Sequence, residues 1–247
     1  MSHLTITQEL VDDLGIMSLW QDTASTMEIV KLYDAANGKQ MRMIEFGAGN
    51  GGWPVIVSQI CKELPVIYAW ESFQHTQYDF SIPTDVVYKN LARNKQELMS
   101  LIDSKISNHK IEIIDRYVNH SDDILDNDTT EYDIIRLDCL DGYAEITQLL
   151  THVMRLLAPG GLLFIDDIDP IICINRFRAA MNYDDTGELL LFWVGIKECA
   201  FQKPGGTTIS QEQLKTILAD RYNFSSEITC TDYPIPTKTY LRHLQII

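Results

Sequence analysis

One glycine-rich segment limits the possible folds of this chain more than any other feature. Residues 47–52 have the sequence Gly-Ala-Gly-Asn-Gly-Gly and directly follow a short apolar run, Met41–Phe46. The segment after them, Val55–Leu64, has apolar residues at helical spacing and begins just after a proline, a residue favoured in a first helical turn. The pattern therefore predicts a strand, a tight glycine-rich turn and a helix in immediate succession.

A second strand and an acid complete this unit. Pro65 ends the predicted helix, Val66–Trp70 is a second buried strand, and Glu71 closes it. Strand, turn, helix and strand together form a βαβ unit. Glycines let a ligand approach the backbone closely, and a carboxylate 20 residues after Gly51 can accept hydrogen bonds from both hydroxyl groups of a ribose. The sequence thus predicts a cofactor that contains a nucleoside.

The glycine spacing fits two classes of cofactor. Gly47, Gly49 and Gly52 satisfy the spacing that is typical of NAD or FAD sites. Gly47, Gly49 and Gly51 have instead the spacing typical of S-adenosylmethionine sites, and Glu45 precedes them. The motif by itself does not distinguish a dehydrogenase from a transferase.

The rest of the chain alternates short apolar strands with helices. Helical spacing runs in two pieces from about residue 7 to Asn37 and predicts an N-terminal helical cap over the ligand edge of the sheet. Further strands are predicted at Ile111–Ile114, Ile134–Leu137, Leu162–Ile165, Leu189–Ile196 and near Leu241–Ile247, and helices at about residues 84–107, 144–157, 171–181 and 211–219. This alternation predicts an α/β fold with a doubly wound, mostly parallel sheet.

The acidic charge balance argues against two kinds of partner. Lys and Arg total 20 and Asp and Glu total 35, which gives a formal net charge of −15. Such a chain repels a nucleic-acid backbone or an anionic membrane unless its basic residues cluster, and no cluster is present. No apolar stretch approaches the ~18 residues that span a bilayer. We therefore expect neither nucleic acid nor a membrane as a partner.

The cysteines and the N-terminus indicate the compartment. The five cysteines are widely spaced and odd in number, so neither a disulfide framework nor a zinc site is predicted. The N-terminus lacks the basic start and the apolar run of a signal peptide. These features predict a cytoplasmic protein.

The ordered set of motifs is similar to that of class I S-adenosylmethionine-dependent methyltransferases. It comprises Glu45-Phe-Gly-Ala-Gly-Asn-Gly, the acid that ends the second strand, and Leu156-Leu-Ala-Pro-Gly-Gly-Leu-Leu-Phe-Ile before an acidic pair. The resemblance implies one domain over residues 1–247, with a helical cap at 1–38 and a Rossmann-like core at 39–247. It also implies seven strands, of which a reversed last one lies near Leu241–Ile247. The implied cofactor is S-adenosylmethionine, held by Glu45, Gly47, Gly49, Gly51 and Glu71.

Three carboxylates stand at the ends of the fourth and fifth predicted strands. Asp138 follows one strand and Asp166 and Asp167 follow the other, and the ends of parallel strands emerge at the same edge of a sheet. Carboxylates gathered there repel one another unless protons or a cation intervene, and Mg²⁺ prefers such oxygen ligands. Residues 137–143 are also similar to metal-dependent O-methyltransferases of the catechol and macrolide sugar types. That resemblance implies that these three acids are the metal ligands and that the acceptor is a hydroxyl group.

Arg136 offers a different use for the same acids. It precedes Asp138 by two residues, so both side chains project from the same face of the strand, roughly 7 Å apart. A guanidinium could pair with Asp138 and replace the metal altogether. A cluster of acids and arginine, or helix caps made by these acids, therefore stays open beside a magnesium site.

The residues around the reacting group are predicted from their position at the ligand edge. Asp138 and His75 are the candidate catalytic residues, the latter because it follows the second strand near the cofactor. We expect a small-molecule acceptor to contact Ser72–Pro83, the N-terminal helices and Phe201–Thr208. The apolar stripe of the N-terminal helices could equally be the surface of a homo-oligomer.

Three functions fit this sequence. The first is an S-adenosylmethionine-dependent methyltransferase that acts on a hydroxyl of a small molecule, with or without Mg²⁺. The second is an NAD-dependent oxidoreductase, which the first glycine spacing permits although no Tyr-x-x-x-Lys set is present. The third is a methyltransferase-like binding protein without turnover.

Overall fold

The computed structural model describes residues 6–14, 16, 20–73, 91–118, 123–140, 142–168, 174–195, 197–209, 212 and 214. In this part of the chain one sheet contains the strands β1 Arg42–Phe46, β2 Val66–Glu71, β3 Lys110–Asp115, β4 Tyr132–Leu137, β5 Leu157–Ile165, β6 Leu190–Val194 and β7 Cys199–Gln202. Their order across the sheet is β3-β2-β1-β4-β5-β7-β6. The strands pair in parallel except for β7, which is antiparallel to both β5 and β6.

Helices cover both faces of the sheet. Those in the described residues are α1 Gln8–Asp13, α2 Trp20–Asn37, α3 Gly52–Ile60, α4 Lys95–Lys105, α5 Asp123–Asn127, α6 Tyr143–Leu156 and α7 Ile174–Thr186. Side chains of α2, α3 and α4 join the hydrophobic core on one face, and side chains of α6 and α7 join the core on the other. Neighbouring residues of a strand alternate between the two cores, as Ile134 and Ile135 of β4 do. The predicted doubly wound α/β fold is confirmed, and α1 and α2 are consistent with the N-terminal helical cap.

Local capping explains where two helices begin. The helix after β1 begins at Gly52, earlier than its apolar stripe suggests, because Gly51 takes the left-handed conformation (φ 72°) as its N-cap. The helix predicted from about residue 84 begins in the described residues at Lys95, where the side chain of Asn94 accepts a hydrogen bond from the Glu97 amide (2.9 Å). Among the described helices, none combines the length and the apolar character needed to cross a bilayer.

The reversed strand of the described sheet lies in a segment for which no strand was predicted. That strand is Cys199–Gln202, whereas residues 241–247 lie outside the described part of the chain. It follows β6 through a tight hairpin in which the Gly195 amide donates to the carbonyl of Glu198 (2.7 Å). Four residues are too few to show strand periodicity, so the sequence gives no signal for it. Phe201, predicted to line the acceptor site, is instead a fully buried residue of this strand.

Candidate functional site

The carboxyl edge of the sheet carries strained backbone at three strand ends. Among the described residues, positive φ values occur at three residues other than glycine: Phe73 (52°), Leu140 (61°) and Asp167 (53°). They follow β2, β4 and β5, respectively. Such a conformation costs a residue with a Cβ about 1–2 kcal/mol, and strained residues concentrate at functional sites. This edge is therefore the candidate functional site.

The glycines of the loop after β1 serve different purposes. Gly47, Gly49 and Gly51 all have positive φ. A Cβ on Gly47 would lie 2.1 Å from the carbonyl oxygen of Asp138, and one on Gly51 would lie 2.9 Å from a side chain of α4. The described atom nearest to a Cβ on Gly49 is Cδ2 of Leu91, at 4.0 Å. Within the described part of the chain, packing thus requires the first and third glycines, whereas the middle one leaves room for a ligand.

The carboxylate of Glu71 connects this loop to the end of β2. Its Oε2 accepts a hydrogen bond from the Gly49 amide (2.7 Å). Its Oε1 accepts from the amides of Ser72 (2.9 Å) and Phe73 (3.2 Å). The structure therefore brings together the acid and the glycine loop that the sequence predicts to hold a cofactor.

One buried guanidinium joins acids from four strand ends. Nη1 of Arg136 donates to Oε1 of Glu45 (2.6 Å) and to Oδ2 of Asp138 (3.2 Å). Nη2 donates to Oδ2 of Asp166 and to Oε1 of Glu198 (3.0 Å). Arg136 is 4% exposed, so these charges meet away from solvent. We call these five residues the Arg136 cluster.

A second arginine, Arg176 of α7, ties the turns after β4 and β5 together. Its Nε donates to the carbonyl of Leu140 (2.9 Å) and its Nη1 donates to the carbonyl of Asp166 (3.0 Å). Nη1 also lies 3.4 Å from Oδ1 of Asp138 and 3.9 Å from Oδ2 of Asp167. Each acid predicted as a metal ligand therefore forms an ion pair with an arginine.

Helix α2 reaches the Arg136 cluster from the N-terminal side. The hydroxyl of Thr26 donates to Oε2 of Glu198 (2.6 Å). The carboxylate of Asp22 accepts from the amides of Lys197 and Glu198 in the hairpin between β6 and β7. The helical cap and the reversed strand are thus joined beside the candidate site.

Burial changes the protonation of the clustered acids. Burial, with the nearby charge of Asp166, raises the pKa of Glu198 to about 8. Burial also raises the pKa of Glu45 to about 7, although Arg136 lowers it. The pKa of Asp138 is raised by burial and by Asp166 in the same way. Glu198 therefore keeps its proton at neutral pH, which reduces the repulsion among the carboxylates of the cluster.

The comparison with known families distinguishes between a methyltransferase and a dehydrogenase. The sequence model of a family described as a methyltransferase domain matches residues 44–168, from β1 to just beyond β5. The chain belongs to this family. The resemblance to class I S-adenosylmethionine-dependent methyltransferases is thereby confirmed. The match supports a methyltransferase over a dehydrogenase.

Individual relatives of this methyltransferase domain are distant. Prosolanapyrone synthase from Alternaria solani is 24% identical over 221 residues, which are 88% of this chain and 7% of the synthase. The chain thus spans only a small part of the length of this curated relative.

Solved structures share the fold at low sequence identity. The O-methyltransferase NovP has a TM-score of 0.54 and 15% identity, covering 73% of this chain and 80% of its own. An S-adenosylmethionine-dependent O-methyltransferase from Thermotoga maritima has a TM-score of 0.50 and 13% identity, covering 80% of this chain and 72% of its own. Magnesium protoporphyrin IX methyltransferase from Synechocystis PCC 6803 has a TM-score of 0.50 and 11% identity, covering 81% of this chain and 86% of its own. At these identities the likeness shows the fold alone.

The acids of this methyltransferase domain do not fit the metal site that the sequence suggested. Mg²⁺ is held by carboxylate oxygens together with several waters. Here the oxygens face arginine nitrogens, and the described residues contain no group of three His, Cys, Asp or Glu side chains that could hold a metal ion. Arg136 paired with Asp138, the arrangement left open by the sequence, is the one present.

Two residues of the site were not predicted from the sequence, and one predicted residue lies outside the described part of the chain. Glu198 comes from the undetected hairpin, 62 residues after Arg136. Arg176 comes from the first turn of α7, where no local pattern marks it. His75 lies outside the described residues, so its catalytic role stays a prediction.

Glu198→Gln should change how stability depends on pH. Glu198 has a folded pKa of about 8, above its usual unfolded value, so the native state holds its proton more tightly. The wild-type free energy of unfolding should therefore fall as the pH rises from about 5 to about 8. Glutamine has the shape of the neutral glutamic acid side chain and can still accept a hydrogen bond from Arg136. The free energy of unfolding of the variant should therefore fall by about 2–4 kcal/mol less than that of wild type over this pH range.

Urea unfolding at pH 5, 6.5 and 8 measures this effect. Glu112→Gln, on an exposed position of β3, is the matched control and should follow the wild-type profile. Parallel pH profiles for wild type and Glu198→Gln would mean that Glu198 is ionised throughout.

Proposed function

We propose that this chain binds S-adenosylmethionine at the loop of residues 47–51 and transfers its methyl group to a hydroxyl oxygen of a small molecule. The observation that carries the proposal is the pairing of the loop with its acid. Among the described residues, no atom lies closer than 4.0 Å to a Cβ built on Gly49, and the carboxylate of Glu71 lies 2.7 Å from the Gly49 amide. A cofactor that approaches Gly49 would bring its ribose hydroxyls to this carboxylate.

Fold relatives support oxygen as the acceptor atom. NovP and the Thermotoga maritima protein are O-methyltransferases, and both share this fold over most of the chain. The Synechocystis enzyme is named for magnesium protoporphyrin IX, a small-molecule acceptor. The family match supports methyl transfer over the oxidoreductase alternative.

In the proposed reaction this chain's residues hold the cofactor and remove a proton. Bound S-adenosylmethionine would supply an electrophilic methyl carbon, to which the acceptor oxygen bonds as the carbon–sulfur bond breaks and S-adenosylhomocysteine leaves. Glu71 orients the ribose, and Asp138 takes the hydroxyl proton at its carboxylate. The side chain of Asp138 is 24% exposed at the ligand edge, and its raised pKa makes it a better proton acceptor than an ordinary aspartate. The strained turns at Leu140 and Asp167 border the space where the acceptor would bind.

Calorimetric titration tests the proposal against its two alternatives. S-adenosylhomocysteine, the demethylated product, should bind with one site per chain, and NAD should not bind. Binding of NAD without S-adenosylhomocysteine would support the oxidoreductase and overturn the proposal. Binding of S-adenosylhomocysteine with no turnover of S-adenosylmethionine against a panel of alcohols and phenols would favour the non-catalytic binding protein.

Glu71→Ala should weaken the binding of S-adenosylhomocysteine by about 10- to 100-fold, since hydrogen bonds to a charged group contribute about 1.5–3 kcal/mol each. Glu71→Gln should also lose affinity while keeping one oxygen for the Gly49 amide. Isothermal titration calorimetry measures both, with Glu112→Ala on exposed β3 as the matched control. Wild-type affinity in Glu71→Ala, with an unchanged melting temperature, would mean that the ribose lies elsewhere.

A further inference from the structure

The Arg136 cluster lies where the resemblance to metal-dependent O-methyltransferases implies a cation in this chain. Arg136 and Asp138 lie on one strand face, and Arg136 pairs in the sheet with Glu45 of β1. Its guanidinium also reaches Asp166 beyond β5 and Glu198 before β7. The centre of the acidic group is therefore filled by a side chain of the protein itself.

The carboxylate oxygens that a cation would need already face nitrogen atoms. Oδ2 of Asp138 lies 3.2 Å from Nη1 of Arg136, and its Oδ1 lies 3.4 Å from Nη1 of Arg176. Asp166 accepts from Arg136 through Oδ2 and from the Asp167 amide (2.8 Å) through Oδ1. Asp166 is 5% exposed, so the waters that complete the shell of Mg²⁺ have no access there.

The two arginines approach these acids from opposite sides. Arg136 lies on the sheet face covered by α2 and α3, where its guanidinium carbon is 5.9 Å from the centre of the Trp53 ring. Arg176 extends from α7 and also fixes the carbonyls of Leu140 and Asp166. Arginine stays charged at any physiological pH, so this positive charge is permanent.

We propose that Arg136 and Arg176 take the place of the divalent cation at this edge, so that methyl transfer proceeds without a bound metal. The second half of this inference rests on the proposed function. The guanidinium groups supply the positive charge that keeps the acids together, and they hold Asp138 in place at the ligand edge.

Mn²⁺, used as a paramagnetic substitute for Mg²⁺, tests the first half. Electron paramagnetic resonance of the free ion should show no saturable binding to the wild-type chain up to about 1 mM Mn²⁺, the weak end of protein cation sites. Arg136→Met should bind one Mn²⁺ at least about tenfold more tightly, because affinity rises with the number of charged ligands left available. Arg178→Met, on an exposed position of the same helix as Arg176, should bind no more than wild type.

Arg176→Met provides a second route if Arg136→Met does not fold. It leaves Asp138 and Asp167 without their shared guanidinium and should also gain Mn²⁺ binding. Saturable Mn²⁺ binding by the wild type that Asp138→Asn abolishes would overturn the inference. A folded arginine variant that gains no Mn²⁺ binding would overturn it as well.

Titration with S-adenosylhomocysteine separates this inference from the proposed function. Wild-type affinity for it should be the same in Mg²⁺ and in EDTA, and turnover should survive EDTA. Loss of turnover in EDTA with restoration by Mg²⁺ would overturn the metal-free half. Failure of S-adenosylhomocysteine to bind under either condition would contradict the proposed function, and the Mn²⁺ measurement would still decide whether arginines replace the cation.

Discussion

Arg136→Met should lower the free energy of unfolding by about 3–5 kcal/mol, the usual cost of leaving buried charges without their partner. Four carboxylates from four strand ends lose their shared guanidinium in this variant. Some of the loss is offset because the acids can take up protons, so the destabilisation should be larger at pH 8 than at pH 5. Urea unfolding followed by circular dichroism at both pH values measures it.

Arg178→Met is the matched control for this measurement. Its side chain is exposed on α7, so its effect should stay within about 0.5 kcal/mol of wild type. Adding Glu45→Gln and Glu198→Gln to Arg136→Met should recover part of the lost stability at pH 8, because two buried carboxyl groups that would otherwise ionise without a partner are then neutral. If the midpoint of urea unfolding is the same for Arg136→Met and wild type, the cluster does not stabilise the fold.

Gly47→Ala should be far more damaging to the fold than Gly49→Ala. A Cβ on Gly47 would stand 2.1 Å from the backbone oxygen of Asp138, which cannot move without displacing β4. Overpacking and positive φ together should cost about 3 kcal/mol or more. At Gly49 the nearest described atom to the new methyl group is Cδ2 of Leu91, at an ordinary contact distance of 4.0 Å, so we expect only the backbone cost of about 1–2 kcal/mol.

Cofactor binding should rank the two variants the other way round. When affinity is measured on folded protein, Gly49→Ala should be the more damaging substitution. Gly49→Ala should remain folded at 25 °C and bind S-adenosylhomocysteine at least about tenfold more weakly, because its methyl group enters the space proposed for the ligand. Thermal unfolding and calorimetry on the two proteins provide both readouts. Equal destabilisation by the two substitutions, or wild-type affinity in Gly49→Ala, would contradict the separation of roles.

The local parts of the fold could be predicted from the sequence. The unit from β1 to β2 has a strong signal at every step: an apolar strand, glycines at positive φ, a proline in the first helical turn and a closing acid. The parallel pairing of its two strands follows from the helical crossover between them. Arg136 could be recognised as a competitor for the metal because residues two apart share a strand face.

The distant partners of the site could not be predicted in the same way. Glu198 contacts Arg136 because a four-residue reversed strand inserts next to β5, and such a short strand leaves no periodic pattern. Arg176 contacts the site because α7 packs back over the turns after β4 and β5. Both contacts are set by tertiary packing, and a single sequence contains little information about it.

Because Arg136 is hydrogen-bonded to all four of its acids, a proton gained or lost by one of them changes the pKa values of the others. Asp138 at the ligand edge therefore responds to Glu198, two strands away in the sheet, through Asp166 and the common guanidinium. Any rate–pH profile of this chain should accordingly report macroscopic constants of the whole set. The acidity at the ligand edge is thus a collective property of acids from four strand ends, and substituting any one of these acids should change the pKa values of the other three.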